Sequence, residues 1–180
     1  MKQHYFIGIK IPEPIANEIV NERENTNVHE THKILPVADD LHITLFYLGH
    51  VEQNVLASIV QRLQDIQWEA FELTTSGLSH FGNEQTPRVV FTGVENSNPL
   101  VVLQQEIVQR LSQVIEITNV TSFIPHITIA KKWSSKNELH AKDFHLRKMR
   151  FEVSHFSIFQ INNNRSPHYE EIEYIQSRRG

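Results

Sequence analysis

Apolar positions along the chain recur with two periods, and these divide it into helices and strands. Tyr5 to Ile9 is a short apolar run of the kind buried as a strand. Pro12 and Pro14 then open a helix running to about Asn25, with Ile15, Ile19 and Val20 on one face. Proline suits a first helical turn because its missing N–H would be unpaired there anyway. Val55, Ile59, Leu63 and Ile66 fall at helical spacing and predict a helix over 53–66. Leu100, Leu103, Ile107 and Leu111 predict another over 100–114. Strand-like stretches lie at Leu41 to Leu48, Trp68 to Leu78 and Arg88 to Val94, the last two as antiparallel neighbours, and another starts after Pro125. The polar run 26–40 reads as loop, and Glu138 to His145 as one or two helical turns. Phe151 to Ile161 and Tyr169 to Ile175 read as a closing hairpin around the turn-rich Asn162-Asn163-Asn164-Arg165-Ser166-Pro167. The order is βαβαββ, then αβ and a hairpin, which predicts one α+β domain over 1–180 built of two related, interlocked lobes.

Two of these strands are near copies. Leu41-His42-Ile43-Thr44-Leu45 and Pro125-His126-Ile127-Thr128-Ile129 both carry His-x-Thr, 84 residues apart. Side chains two residues apart in a strand share a face. His42 and Thr44 therefore point one way and Ile43 and Leu45 the other, and His126, Thr128, Ile127 and Ile129 repeat the arrangement. A third His-x-Thr, His29-Glu30-Thr31, lies in the polar run without apolar alternation and reads as loop. A pseudo-twofold relation between the lobes would bring the two motif strands together at the centre, where two imidazoles flank one phosphate-sized gap.

Composition narrows the class. The 180 residues are 39% hydrophobic and 21% charged, with a formal net charge of −4, which suits a globular chain and gives no overall basic character of the kind a non-specific nucleic-acid binder shows. Cysteine is absent, so thiolate metal sites and disulfides are excluded, in keeping with a cytoplasmic location. The N-terminal apolar run is short for a signal peptide, and no apolar stretch approaches a membrane span. Neither motif strand places a carboxylate on its histidine face, so no metal site is expected there. The other histidines have no ligand spacing, and no cofactor is expected. Arg147-Lys148-Met149-Arg150, with Arg178 and Arg179, reads as a solvated basic face. The chain is expected to be a monomer.

Hydrolysis of a cyclic phosphodiester needs a base for water, an acid for the departing oxygen, and donors for the charge on phosphorus. Imidazole, with an ordinary pKa of about 6.5, serves as either acid or base near neutrality. His42 and His126 supply the pair, and Thr44 and Thr128 supply hydroxyl donors. The residues alone leave open which ring is the acid.

The paired His-x-Thr motifs resemble those of the 2H phosphoesterase superfamily, specifically its bacterial RNA 2′,3′-cyclic phosphodiesterase branch, historically called 2′–5′ RNA ligases. The resemblance covers most of the chain. Phe6-Ile7-Gly8-Ile9, Leu41 to Gly49, Pro87-Arg88-Val89-Val90-Phe91 with Gly93-Val94, and Phe123 to Lys131 are each similar to a family segment. It implies a bilobal fold with two antiparallel-rich sheets flanking a central cleft and helices on the outside. It also implies hydrolysis of 2′,3′-cyclic phosphate RNA ends, or of a small cyclic nucleotide, to a 2′-phosphate without metal, with His42 as acid and His126 as base. The alternatives are 2′–5′ ligation by the same site and a non-catalytic nucleotide- or RNA-binding module. Where the family has arginine after the second motif, this chain has Lys131, which keeps the charge but lacks the bidentate fork. Strand alternation puts Lys132, rather than Lys131, on the histidine face; either is a candidate phosphate ligand unless the strand ends or bulges at Ala130. Phe46 shares the face of His42 and Thr44 by the same alternation and is a candidate base-stacking residue.

Overall fold

The computed structural model of the chain describes residues 2–118 and 121–178. Strand β1 (His4–Lys10) leads into helix α1 (Glu13–Arg23), a four-residue helix α2 (Val28–Thr31), and the short strand β2 (His32–Ile34). A 3₁₀ turn at Ala38–Asp40 delivers the first motif strand, β3 (His42–His50), followed by α3 (Gln53–Gln64), β4 (Phe71–Gly82) and β5 (Pro87–Val94). Helix α4 (Asn98–Leu111) is N-capped by Ser97, whose hydroxyl accepts from Leu100 N at 3.3 Å. The second motif strand, β6 (His126–Trp133), then precedes β7 (Arg150–Val153), β8 (His155–Ile161) and β9 (Tyr169–Gln176).

The strands form one sheet in the order β7-β4-β5-β6-β3-β1-β8-β9, with β2 also on β6, and every pair of these strands is antiparallel. Along this order four strands lie on each side of the centre, with a motif strand innermost on both, and β2 is a fifth on the β6 side. The halves join through a single pair, Ile43 opposite Ile127, so the two expected sheets are continuous at one point. Both isoleucines are fully buried. They belong to the same core as Ile15 and Ile19 of α1, Ile59 and Leu63 of α3, and Leu103 and Ile107 of α4. Helix α4, from the second half of the chain, packs on β3, while α1, from the first half, packs on β6. Apolar burial on this helical side, worth about 1.5–3 kcal/mol per large side chain, fixes the face on which the intervening histidines and threonines emerge.

Three expectations are corrected. The run 26–40 is not all loop: Val28 and Thr31 are buried in α2, and His32 is buried in β2. Elements this short show no periodicity for a sequence pattern to reveal. The stretch Glu138 to His145 forms no helix. Distant groups take its backbone instead: Asn27 accepts from His140 N at 2.7 Å and donates to Glu138 O at 2.9 Å, and Leu139 N donates to Gln85 O at 2.9 Å. Phe151 to Ile161 divides at Ser154. Its first part, β7, closes one edge of the sheet against β4, and only β8 forms the hairpin with β9.

Candidate functional site

The single pair joining the halves aligns the two motifs. Antiparallel register around Ile43 and Ile127 brings His42 opposite Thr128 and Thr44 opposite His126. All four emerge from the face opposite the buried isoleucines.

Both imidazoles are held the same way. His42 Nδ1 donates to the carbonyl of Asp40 at 2.7 Å, and His126 Nδ1 donates to that of Ile124 at 2.7 Å. A carbonyl only accepts, so each neutral ring carries its proton on Nδ1 and turns a bare Nε2 to the site. At His42 that nitrogen accepts from the Thr44 hydroxyl at 3.0 Å. Among the described residues no group engages His126 Nε2.

A bulge recurs in both motif strands. Against β1, Thr44 pairs with Gly8 and Phe46 with Ile7, leaving Leu45 as the extra residue. Against β5, Thr128 pairs with Phe91 and Ala130 with Val90, leaving Ile129 as the extra residue. The extra residue, three past each histidine, shifts the alternation by one. Ile129 and Ala130 are consecutively buried, and Lys131 returns to the histidine face. The expectation for Lys132 is thereby overturned: it is exposed, with φ of 64°, and does not line the cavity. The same shift removes Phe46 from the site. It packs on the core, and Tyr47, 57% exposed, takes the place on the histidine face that alternation assigned to Phe46. Arg23 of α1, itself buried, donates to the carbonyl of the bulged Ile129 at 3.2 Å and to Pro36 O at 2.6 Å.

A cavity of about 730 Å³ opens over the first half. His42, Thr44, Thr128 and Lys131 line its floor, and Tyr47, His4 and the turn residues Asn162 to Asn164 lie farther out. His126 is outside this lining. Its surroundings are Phe81, with ring centroids 4.9 Å apart, and Phe91, at 5.1 Å. His42 lies between Phe6, at 4.5 Å and inclined 32°, and Tyr169, edge-on at 5.0 Å. Lys131 Nζ donates to the Tyr169 hydroxyl at 3.3 Å.

These walls set the proton affinities. Burial, chiefly, together with the charges of Lys131 and His126, pushes the His42 imidazole down to about 4, against upward pulls from the Asp40 carbonyl and carboxylate. Burial also lowers His126, against the pull of its Ile124 bond. Among the described residues, no group of three His, Asp or Glu side chains is arranged to hold a metal ion.

The sequence pattern did not single out Asp40, Tyr47 or Tyr169, because their places depend on a bulge or on contacts far along the chain. The basic cluster lies outside this cavity's lining. Arg147 pairs with Glu18, Lys148 with Glu95 and Arg150 with Glu72. Arg179 is beyond the described residues.

Comparison with known proteins gives one consistent picture. The profile of the 2′-5′ RNA ligase superfamily matches residues 11–165. An RNA 2′,3′-cyclic phosphodiesterase of Bacillus subtilis is 31% identical over 98% of this chain and 97% of its own length. One from Thermotoga maritima is 30% identical over 86% of this chain and 84% of its own. The crystal structure of Escherichia coli LigT complexed with 3′-AMP superposes with a TM-score of 0.83 at 20% identity, covering 99% of this chain and all of the other.

Proposed function

The chain belongs to the 2′-5′ RNA ligase superfamily, and from that premise we propose that it hydrolyses 2′,3′-cyclic phosphate RNA ends to 2′-phosphates by two-histidine acid–base catalysis without a metal. The observation that carries this is the pairing of the two motifs through Ile43 and Ile127, which aligns His42 with Thr128 and Thr44 with His126, each imidazole held through Nδ1 with Nε2 left to act. The named activity of the Bacillus and Thermotoga relatives supports the reading.

The lopsided cavity supports one allocation of roles. A terminal nucleoside seated on the His42 side would put the leaving 3′-oxygen next to His42. Water then approaches phosphorus from the His126 side. His126 Nε2 takes a proton from the water as its oxygen bonds to phosphorus. The P–O3′ bond breaks, and His42 Nε2–H gives its proton to the departing 3′-oxygen. The product carries a 3′-hydroxyl and a 2′-phosphate. Thr44, Thr128 and Lys131 face the non-bridging oxygens and oppose the charge that gathers there. Burial favours the neutral His42 ring, and a phosphate anion beside it draws the proton it needs onto the ring.

The test is product analysis on an RNA oligonucleotide ending in a 2′,3′-cyclic phosphate, in the presence of EDTA. The expected product is the 2′-phosphate. A 3′-phosphate product, or turnover abolished by EDTA and restored by zinc, overturns the mechanism. Tight RNA binding with no turnover favours a binding module.

A further inference from the structure

We propose that Asp40 is a positioning residue, whose carboxylate docks the β8–β9 connection over the catalytic face and so sets Tyr169 against His42 and Lys131. Its kinetic consequence rests on the hydrolase reading above; its structural consequence does not.

Asp40 is 3% exposed, and a carboxylate buried to that degree is costly unless donors surround it. Its donors come from two consecutive residues. Oδ2 accepts from His168 N at 2.9 Å and from the His168 ring Nδ1 at 3.1 Å, and Oδ1 accepts from Tyr169 N at 3.0 Å. In the sheet, β1 and β8 separate β3 from β9, so no backbone ladder links Asp40 to these residues. Among the described residues, the carboxylate supplies the hydrogen bonds that tie the end of this connection to the first motif. Immediately beyond the tie, the Tyr169 ring stands edge-on to His42 at 5.0 Å and to Phe6 at 5.1 Å, and its hydroxyl accepts from Lys131 of the other half. Asp40 therefore acts on His42 twice: its carbonyl holds Nδ1, and its carboxylate holds the aromatic wall beside the ring. The contacts from Asp40 to Tyr169 to Lys131 run from the first half of the molecule to the second.

The sign of one titration tests this in the full-length protein. The charged or titratable groups facing the His42 ring are Asp40, Lys131, His126 and the Tyr169 phenol. Removing the Asp40 charge alone lowers His42 further, because that charge favours the protonated ring. Undocking Tyr169 readmits water and raises it. NMR titration of the His42 ring is expected to move upward from about 4 toward 6.5 in Asp40→Ala and likewise in Tyr169→Ala, and by less in Asp40→Asn. A downward or absent shift in both Asp40 variants, with the fold retained by circular dichroism, overturns the proposal. On a 2′,3′-cyclic nucleotide, Asp40→Ala is expected to lower kcat/KM about 10²-fold, the scale of a misplaced catalytic group. Combined with Tyr169→Ala, it is expected to add little to the loss from Tyr169→Ala alone. Fully additive losses mean that Asp40 acts by some other route. If the wild-type enzyme shows no turnover, the hydrolase reading fails while the titration still decides the role of Asp40.

Discussion

The strand around His42 and the strand around His126 share a sequence, a register and a bulge, yet their histidines meet different surroundings. Each ring hangs from the carbonyl two residues before it, and each strand carries its extra residue three past the histidine. Beyond that the halves diverge. Thr44 closes on His42, and a cavity, an aromatic wall and an ammonium lie beside that ring. His126 has two phenylalanines and an unengaged Nε2 among the described residues. Repetition supplies two equivalent imidazoles. The unequal walls give the two rings different surroundings, and the proposed mechanism uses that difference to put the nucleoside beside His42 and water beside His126.

The sharpest attempt to break this comparison is removal of either ring. His42→Ala and His126→Ala are each expected to lower kcat by about 10²–10⁴-fold, with circular dichroism and melting temperature little changed. Because the two act as a unit, the double variant is expected to be hardly worse than the weaker single one. Near-normal turnover in either single variant would leave the symmetry without catalytic meaning.

A smaller effect separates the two threonines. Thr44→Val and Thr128→Val are each expected to cost about 10²-fold in kcat, the lower end of the scale for one lost donor to developing charge. Of the two, Thr44 donates to a histidine, and that bond favours the neutral ring; among the described residues Thr128 makes no such bond. His42 is thus expected to titrate at higher pH in Thr44→Val and to stay unchanged in Thr128→Val, as read by NMR.

The bulge is sharpened by a neighbouring pair. Tyr47→Ala is expected to raise KM several-fold while leaving the melting temperature unchanged, since the ring lines the cavity and is mostly exposed. Phe46→Ala is expected to do the opposite, costing about 3 kcal/mol of stability in a denaturant titration with little change in KM. An exchange of these outcomes would mean that the alternation runs through Leu45 without a shift.

The mildest expectation concerns pH. Burial lowers both histidines, so kcat/KM, which reports the free enzyme, is expected to peak below pH 6.5. The same shifts link to folding. A ring held neutral in the fold binds its proton more readily when unfolded. Stability from this source is therefore complete above the ordinary histidine pKa of about 6.5 and is lost as pH falls from there toward about 4. Thermal melts across this window are expected to show a fall that flattens in His42→Gln.

Much of the architecture was legible from residue pattern. The long helices announce themselves through Leu103, Ile107 and Leu111, or Ile59 and Leu63, because a buried face repeats with the helical period. The motif strands show their two faces in the same way, and duplication of His-x-Thr exposes the central pair. The short α2 and β2 carried no such period. Glu138 to His145 is shaped by Asn27 and Gln85, far away in the chain.

By itself, the sequence determined the class of fold and the two strands that meet at its centre, and it singled out the four side chains proposed for the chemistry. Local alternation and duplication are properties of neighbouring residues, and they survive without coordinates. Only the tertiary structure decided that Tyr47 and Lys131 replace Phe46 and Lys132, because one extra residue in a ladder is defined by the partner strand. It alone made Asp40 a tie to Tyr169, since that carboxylate acquires its meaning from donors 128 and 129 residues away.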